Sequence, residues 1–256
     1  MAEVKGAKQV PSLQKFSSAA VTNQLRHCGR EIAKNSNQDI QPELSHLNYD
    51  LTPDHGGLRP LDYYKERLSE VYCYGRSDVK TMAGWVVTLP AEIEAGTQEE
   101  LSFFRATTTF LSERYGRENV IQSIVHHDEG VRDASGQLRA GRPHLHFCFI
   151  PVVADNNPRH VQSEKVCAND LLTKRELSQA QRDLQAYLTE NGIEGRIITG
   201  GTGQNRTVEQ LKEITRLELE VERLRETNRD LQSRIHDLEL ELERSRAIEI
   251  DRGFAW

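Results

Sequence analysis

The chain has 256 residues, 28% of them charged and 37% apolar, which suits one ordinary domain with an extension or two small ones. No apolar run approaches the ~18 residues of a membrane span. The first ten residues, MAEVKGAKQV, lack the apolar stretch of a secretory signal. An integral membrane protein is excluded on this reading, and the cytoplasm is the expected location. Cys28, Cys73, Cys148 and Cys167 lie far apart with no CxxC pair, so neither a zinc ribbon nor a disulfide framework is indicated. The net charge is −6, of which −4 falls from Thr207 onward and −2 before it. A bulk basic attraction for nucleic acid is absent, so any DNA function must use a local patch.

In chain order, Pro60 to Tyr72 reads as a helix. Gly84 to Leu89, rich in β-branched and aromatic residues, reads as a strand before Pro90. Thr97-Gln98-Glu99-Glu100 is a capping box. It opens a helix with Leu101, Phe104, Thr108, Leu111 and Tyr115 on one face, ending at Gly116. Val120 to His127 and His144 to Val153 read as strands, joined without a helix, which suggests a central antiparallel hairpin. A second capping box, Thr173 to Glu176, starts a helix through Leu177, Ala180, Leu184 and Leu188 to Gly192. Gly200 to Asn205 matches neither a Walker loop nor GxGxxG and reads as a linker. Thereafter Ile214, Val221, Asn228, Ile235 and Leu242 alternate with Leu217, Leu224, Leu231 and Leu238 in an a/d heptad series. The expected division is a mixed α+β domain over 1–199, a glycine-rich linker over 200–206 and a coiled coil over 207–250. β-branched residues at a with Leu at d favour a parallel dimer, and Asn228 selects its register.

Four of nine histidines, His126, His127, His144 and His146, fall within 21 residues. His144 and His146 are two apart on a strand, so both imidazoles leave one face. If the strands pair, His126 approaches them on that face, while His127 points away. Three neutral imidazoles on rigid strands make a divalent-metal site with open positions. Glu129 is placed to ligate or to orient a ligand histidine. The open positions suit two oxygens of a phosphodiester, whose negative charge the metal would offset. The nucleophile could then be a water, a tyrosine or another histidine.

Three fragments, Arg26-His27-Cys28-Gly29-Arg30, Ser36-Asn37-Gln38-Asp39-Ile40 and Ser45-His46-Leu47-Asn48-Tyr49-Asp50-Leu51, resemble the N-terminal motifs of the Pre/Mob plasmid recombination and mobilisation relaxases, the MobV family. His126-His127-Asp128-Glu129 followed by Pro143-His144-Leu145-His146-Phe147 and Pro151 is similar to that family's metal motif. The resemblance runs in the family's order over about residues 8–195. It implies an HUH-type endonuclease fold, with a central antiparallel sheet flanked by helices. It implies that His126, His144 and His146 hold Mn²⁺ or Mg²⁺ with Glu129 near, and that His27 is the nucleophile. Tyr49 is the alternative nucleophile, and Arg30 would serve a phosphate or the nucleophile's surroundings. The implied activity is nicking one strand at an origin of transfer, with the 5′ phosphate held covalently and later rejoined. DNA is then the partner, through Arg26, Arg30 and local arginines, and a transfer apparatus is a further one.

Two features depart from the family. Gly130 to Arg142 inserts thirteen residues before Pro-His-x-His. Its Arg132, Arg139 and Arg142 against Asp133 make it a candidate DNA-touching hairpin. Cys28-Gly29 replaces the commoner Asn and Glu beside the nucleophile. The competing readings are an HUH replication initiator or transposase and a coiled-coil regulator. An initiator would often carry paired tyrosines one helical turn apart, whereas Tyr63 and Tyr64 are adjacent. A zipper regulator needs a basic run before Ile214, and there is none.

Overall fold

A computed structural model describes residues 11–31, 39–132, 138–197 and 208–253; for 131–140 and much of the last helix it describes the backbone alone. The elements in order are β1 (Ser12–Ser17), α1 (Ser18–Cys28), β2 (Tyr49–Asp50), α2 (Pro60–Glu70), β3 (Lys80–Thr88), α3 (Gln98–Tyr115), β4 (Val120–His126), β5 (Gly130–Arg132), β6 (Leu138–Ala140), β7 (His144–Phe149), β8 (Val152–Ala154), β9 (Glu164–Val166), α4 (Ala168–Leu171), α5 (Lys174–Glu190) and α6 (Val208–Gly253). One sheet has the order β1-β3-β7-β4-β2, with every neighbouring pair antiparallel. The expected α+β architecture and central antiparallel pairing are therefore borne out.

Alternation sorts the central strand's side chains. Leu145, Phe147 and Phe149 point to one face and join Trp85, Val87 and Val125 in a core closed by Phe103, Phe104 and Leu111 of α3 and by Leu184 and Leu188 of α5. His144, His146 and Cys148 point to the other face. There, Val21, Leu25 and Cys28 of α1 and Tyr64 of α2 pack with Met82, Ile121 and Cys148. Both faces are covered, so β4 is buried along its whole length and shows no polar alternation. Phe147 is fully buried, and its truncation to Ala would cost about 3–5 kcal/mol.

Local chemistry fixes the helix limits. The Thr97 side chain accepts a hydrogen bond from the Glu100 N–H and starts α3, and Thr173 does the same with Glu176 for α5. Gly116 ends α3 at φ +89, and a Cβ there would collide with Asn119 and Glu118. The buried face of α3 also takes in Phe103, Thr107 and Ser112, while Leu101 is only half-buried. α3 packs on both the sheet and α5, so its apolar stripe is wider than one row. β3 starts at Lys80, earlier than Gly84, and α2 stops at Glu70 rather than Tyr72. Tyr72 instead exchanges backbone hydrogen bonds with Glu164 and Val166. The strand expected over His144 to Val153 ends at Phe149. Pro151 has no N–H for the ladder, and Val152–Ala154 turns away to pair with β9. In the insertion, β5 and β6 form a small two-stranded sheet. The expected linker over 200–206 lies outside the described residues.

The last helix, α6, runs 46 residues without a break. Along it Leu217, Val221, Leu224, Leu231, Ile235 and Leu238 are 46–56% exposed. No helix among the described residues is long and apolar enough to cross a membrane.

Candidate metal and nucleophile centre

The β4–β7 register sets His126 directly opposite His144, with His146 two residues along on the same face. Glu129 returns to this cluster through a bend after β4. One carboxylate oxygen of Glu129 lies 3.6 Å from His126 Nδ1, and the other lies 3.5 Å from His144 Nε2. The ligand atoms of His126, Glu129, His144 and His146 all fall within 4.8 Å of one another. Donors about 2.0–2.3 Å from a common ion are necessarily this close.

The hydrogen bonds around the cluster test whether a cation fits. His126 Nε2–H donates to the Cys28 carbonyl at 2.8 Å, which turns Nδ1 toward the cluster with a free lone pair. His144 Nδ1–H donates to the Arg142 carbonyl at 3.2 Å and leaves Nε2 facing Glu129. Holding one imidazole nitrogen on a carbonyl so that the other can ligate is how metal-binding histidines are oriented. His126 Nδ1 and His146 Nε2 are buried and have no hydrogen-bond partner. Orphaned buried nitrogens are costly without a ligand. Burial pushes the His126 imidazole toward its neutral, ligating form. Three imidazoles and a carboxylate suit a divalent cation of the first transition row.

His27 joins the cluster from the layer above the sheet. It lies in the last turn of α1, and its Nε2 is 3.5 Å from Glu129 Oε1. Its ring centroid is 6.4 Å from that of His126 and 6.2 Å from that of His146. Arg30 adopts φ +55, a conformation that costs a non-glycine residue roughly 1–2 kcal/mol. Its guanidinium offsets this by holding Asp128, Glu129 and the His27 carbonyl together. Arg30 thus fixes the surroundings of His27, the candidate nucleophile. Arg26 is exposed and lines a cavity of about 340 Å³ between α1 and the start of α2, with Leu25, Arg59 and Leu61.

Two expected residues are elsewhere. Tyr49 pairs with Val125 and so shares its face, opposite to that of His126. Its hydroxyl donates to Glu100 at 2.9 Å; burial, then this carboxylate, holds the phenol well above its ordinary pKa. Tyr49 is therefore not placed to act as the alternative nucleophile. Arg142 is not a free DNA contact, because its guanidinium donates to the carbonyls of Leu89, Pro90 and Ile93. The side chains of Arg132 and Arg139 lie outside the described residues. His127 points away from the cluster as expected, with Nε2 2.8 Å from Glu100.

Asp128 is a site residue that spacing did not reveal. Its buried carboxylate accepts from Arg30, from Ser45 Oγ at 2.6 Å and from Asn48 Nδ2 at 2.8 Å. Burial opposes its charge, but these donors prevail and keep it ionised well below the usual range. Ser45 and Asn48 thus acquire a function in tying the segment before β2 to the cluster. Gly141 is another. Its N–H donates to the Glu129 carbonyl, and any Cβ there would overlap that carbonyl. Gly141 is a close-approach position beside Glu129, a candidate ligand.

The family profile described as plasmid recombination enzyme matches residues 6–213. The chain belongs to this family. The plasmid recombination enzyme of Bacillus thuringiensis is 26% identical over 236 residues, covering 91% of this chain and 48% of that protein. The type 1 enzyme of Staphylococcus aureus is 28% identical over 200 residues, covering 76% and 42%. The chain spans less than half the length of these relatives. Among solved structures, the MobM relaxase domain, Mn-bound and in complex with plasmid pMV158 oriT DNA, superposes with a TM-score of 0.62 at 25% identity. That match covers 80% of this chain and 97% of the MobM domain. The family and fold implied by the sequence resemblance are thereby established.

Proposed function

We propose that this chain is the relaxase portion of a plasmid mobilisation and recombination protein, which nicks one strand of DNA at an origin of transfer. The observation that carries this reading is the position of His27 Nε2, 3.5 Å from the carboxylate that also faces His126 and His144. The MobM domain's Mn²⁺ and oriT DNA support the cation and the substrate class. A divalent cation held by His126, His144, His146 and Glu129, Mn²⁺ or Mg²⁺, supplies Lewis-acid polarisation of a phosphodiester oxygen when bound.

The chain's own residues do the rest. A ring nitrogen of His27 donates its lone pair to phosphorus, and the bond from phosphorus to the 3′ oxygen breaks. The 3′ oxygen leaves and takes a proton, and the 5′ phosphate stays on the imidazole as a phosphoramidate. The energy of the broken ester is kept in the P–N bond, so the reverse attack by a 3′ hydroxyl rejoins the strand. Glu129 lies beside His27 Nε2 and orients the ring. Arg30 fixes the backbone of the nucleophile's turn and Glu129 together, the preorganisation that makes the attack geometry reproducible.

The proposal extends to organisation. Residues 1–199 are the catalytic domain, 200–206 a linker and 207–250 a homodimerising coiled coil. Bacterial cytoplasm and a transfer apparatus complete the setting. The test is incubation with supercoiled plasmids carrying candidate origins, with and without Mn²⁺. The expected product is a protein–DNA adduct that survives denaturation and hydrolyses in acid, as phosphoramidates do. His27→Ala should bind DNA and form no adduct, while Tyr49→Phe should keep it. An adduct that persists in His27→Ala and disappears in Tyr49→Phe overturns the assignment.

A further inference from the structure

At the end of the sheet away from the histidines, the chain builds an aromatic surface that the nicking chemistry does not use. The His160 ring stacks on Tyr72 with centroids 3.5 Å apart and planes 17° from parallel. Tyr74 meets Tyr72 edge-on at 5.0 Å and His160 at 6.4 Å. Tyr74 is 43% exposed. The Arg76 guanidinium lies 5.9 Å from the Tyr74 ring centroid.

The platform is held firmly from beneath. Backbone hydrogen bonds join Tyr72 to Glu164 and Val166 of β9, and Val71 and Val166 are buried in the core below. The loop from β8 to β9 is pinned by Asp155, whose carboxylate accepts from His160 Nδ1–H at 2.5 Å. This fixed loop carries an exposed Arg159 and Val161, the latter 99% exposed. An apolar side chain so exposed on an ordered loop has no folding role.

The charges on this surface are sorted. Asp155 is turned inward onto His160 and Lys165, and Glu164 is held by Arg67 at 2.7 Å. Arg76 and Arg159 face solvent, with Asp78 beside Arg76 at 3.1 Å. A ring exposed next to a guanidinium takes a nucleobase on its face and a phosphate beside it. In a chain of net charge −6, the basic groups on this surface exceed the acidic ones by a single charge, so the exposed ring is its main feature.

We propose that Tyr74, with Arg76 and Arg159, is a second single-stranded DNA contact, separate from the metal centre and stacking an unpaired base. This rests on the relaxase reading above. Five residue steps separate His144 from Phe149 along β7, or ~17 Å, before the chain reaches β8. That distance is about five base steps along a strand. A DNA confined to the cleavage site therefore ends short of the platform.

The test uses the full chain with Mn²⁺ and fluorescein-labelled oligothymidylates of two lengths, about 4 nucleotides, which spans only about three base steps, and about 25. Stacking is tolerant of sequence, so thymidylate is a sufficient probe. Tyr74→Ala and Arg76→Ala should each weaken binding of the long oligonucleotide at least about fivefold. Binding of the short one and affinity for Mn²⁺ should stay unchanged, and Tyr74→Phe should restore the long one. Photocrosslinking with 5-iododeoxyuridine in the long oligonucleotide should label the peptide containing Tyr74. Wild-type affinity of the alanine variants for the long oligonucleotide, with crosslinks only elsewhere, overturns the platform and leaves the relaxase reading standing. Failure of the wild-type chain to bind either length, together with no adduct on any origin, overturns both.

Discussion

Arg30 and Asp128, 98 residues apart, form a two-bonded ion pair beside the turn that carries His27, with Nε to Oδ2 at 2.9 Å and Nη2 to Oδ1 at 2.5 Å. The Asp128 side chain is fully buried, and that of Arg30 is 13% exposed. This one pair joins the end of α1 to the bend that carries Glu129. Asp128→Ala should destabilise the domain by about 3 kcal/mol, because it removes the two-bonded partner of a largely buried guanidinium and leaves it Glu129 alone as counter-charge. Thermal or denaturant unfolding reads this directly. Mn²⁺ affinity in the refolded variant should fall as Glu129 loses its fixed position. A variant with unchanged stability would show that the Arg30–Glu129 bond and the bond from the His127 N–H to Asn48 Oδ1 suffice to hold the segment.

His144 and His126 should fail differently when truncated. His144 sits at the start of β7 and bonds only the Arg142 carbonyl, so His144→Ala should lose Mn²⁺ binding and nicking with little loss of stability. His126 is buried at 0% exposure and satisfies the Cys28 carbonyl. His126→Ala should lose metal binding and also about 1–3 kcal/mol of stability. Calorimetric titration of Mn²⁺ alongside urea unfolding separates the two effects. Equal stability losses would contradict the hydrogen-bond assignments.

Arg142 belongs to the scaffold. Its guanidinium holds the carbonyls that follow β3 against the start of β7. Arg142→Ala should cost about 2 kcal/mol of stability, from carbonyls left without donors. The salt dependence of DNA binding should keep its slope, since no phosphate contact is removed. A shallower slope in this variant would return Arg142 to the DNA interface.

The heptad stripe of α6 should dimerise the full chain. Glu220 with Arg225, Arg234 with Glu239 and Glu241 with Arg246 are attractive pairs across a parallel dimer, and Glu213 with Glu218 is repulsive. Each attractive pair would contribute only about 0.3–0.5 kcal/mol, so the pairs would select orientation and the apolar seam would have to hold the dimer. Sedimentation should show a dimer for the full chain and a monomer for a chain ending at Gly203. Asn228→Val should broaden the oligomer distribution. A full-length monomer at micromolar concentration would refute the seam.

The sequence by itself determined what depends on short spacing. His144 and His146 had to share a face because strand side chains alternate, and His126 had to meet them once the two strands paired. The capping boxes at Thr97 and Thr173, the heptads and the family motifs were legible for the same reason, since each is a local pattern. Tertiary structure alone decided which distant groups meet. Arg142 was read as a free cation, yet three carbonyls of a loop some fifty residues earlier claim it. Tyr49 stood near the nucleophile motif in sequence, yet its pairing with Val125 sends it to the opposite face of the sheet. Asp128 gave no periodic signal, because its partners Arg30, Ser45 and Asn48 come from two other segments. Hydrogen bonds between remote segments leave no spacing in the sequence; they exist only once burial has stripped those groups of water and forced each to find its partner.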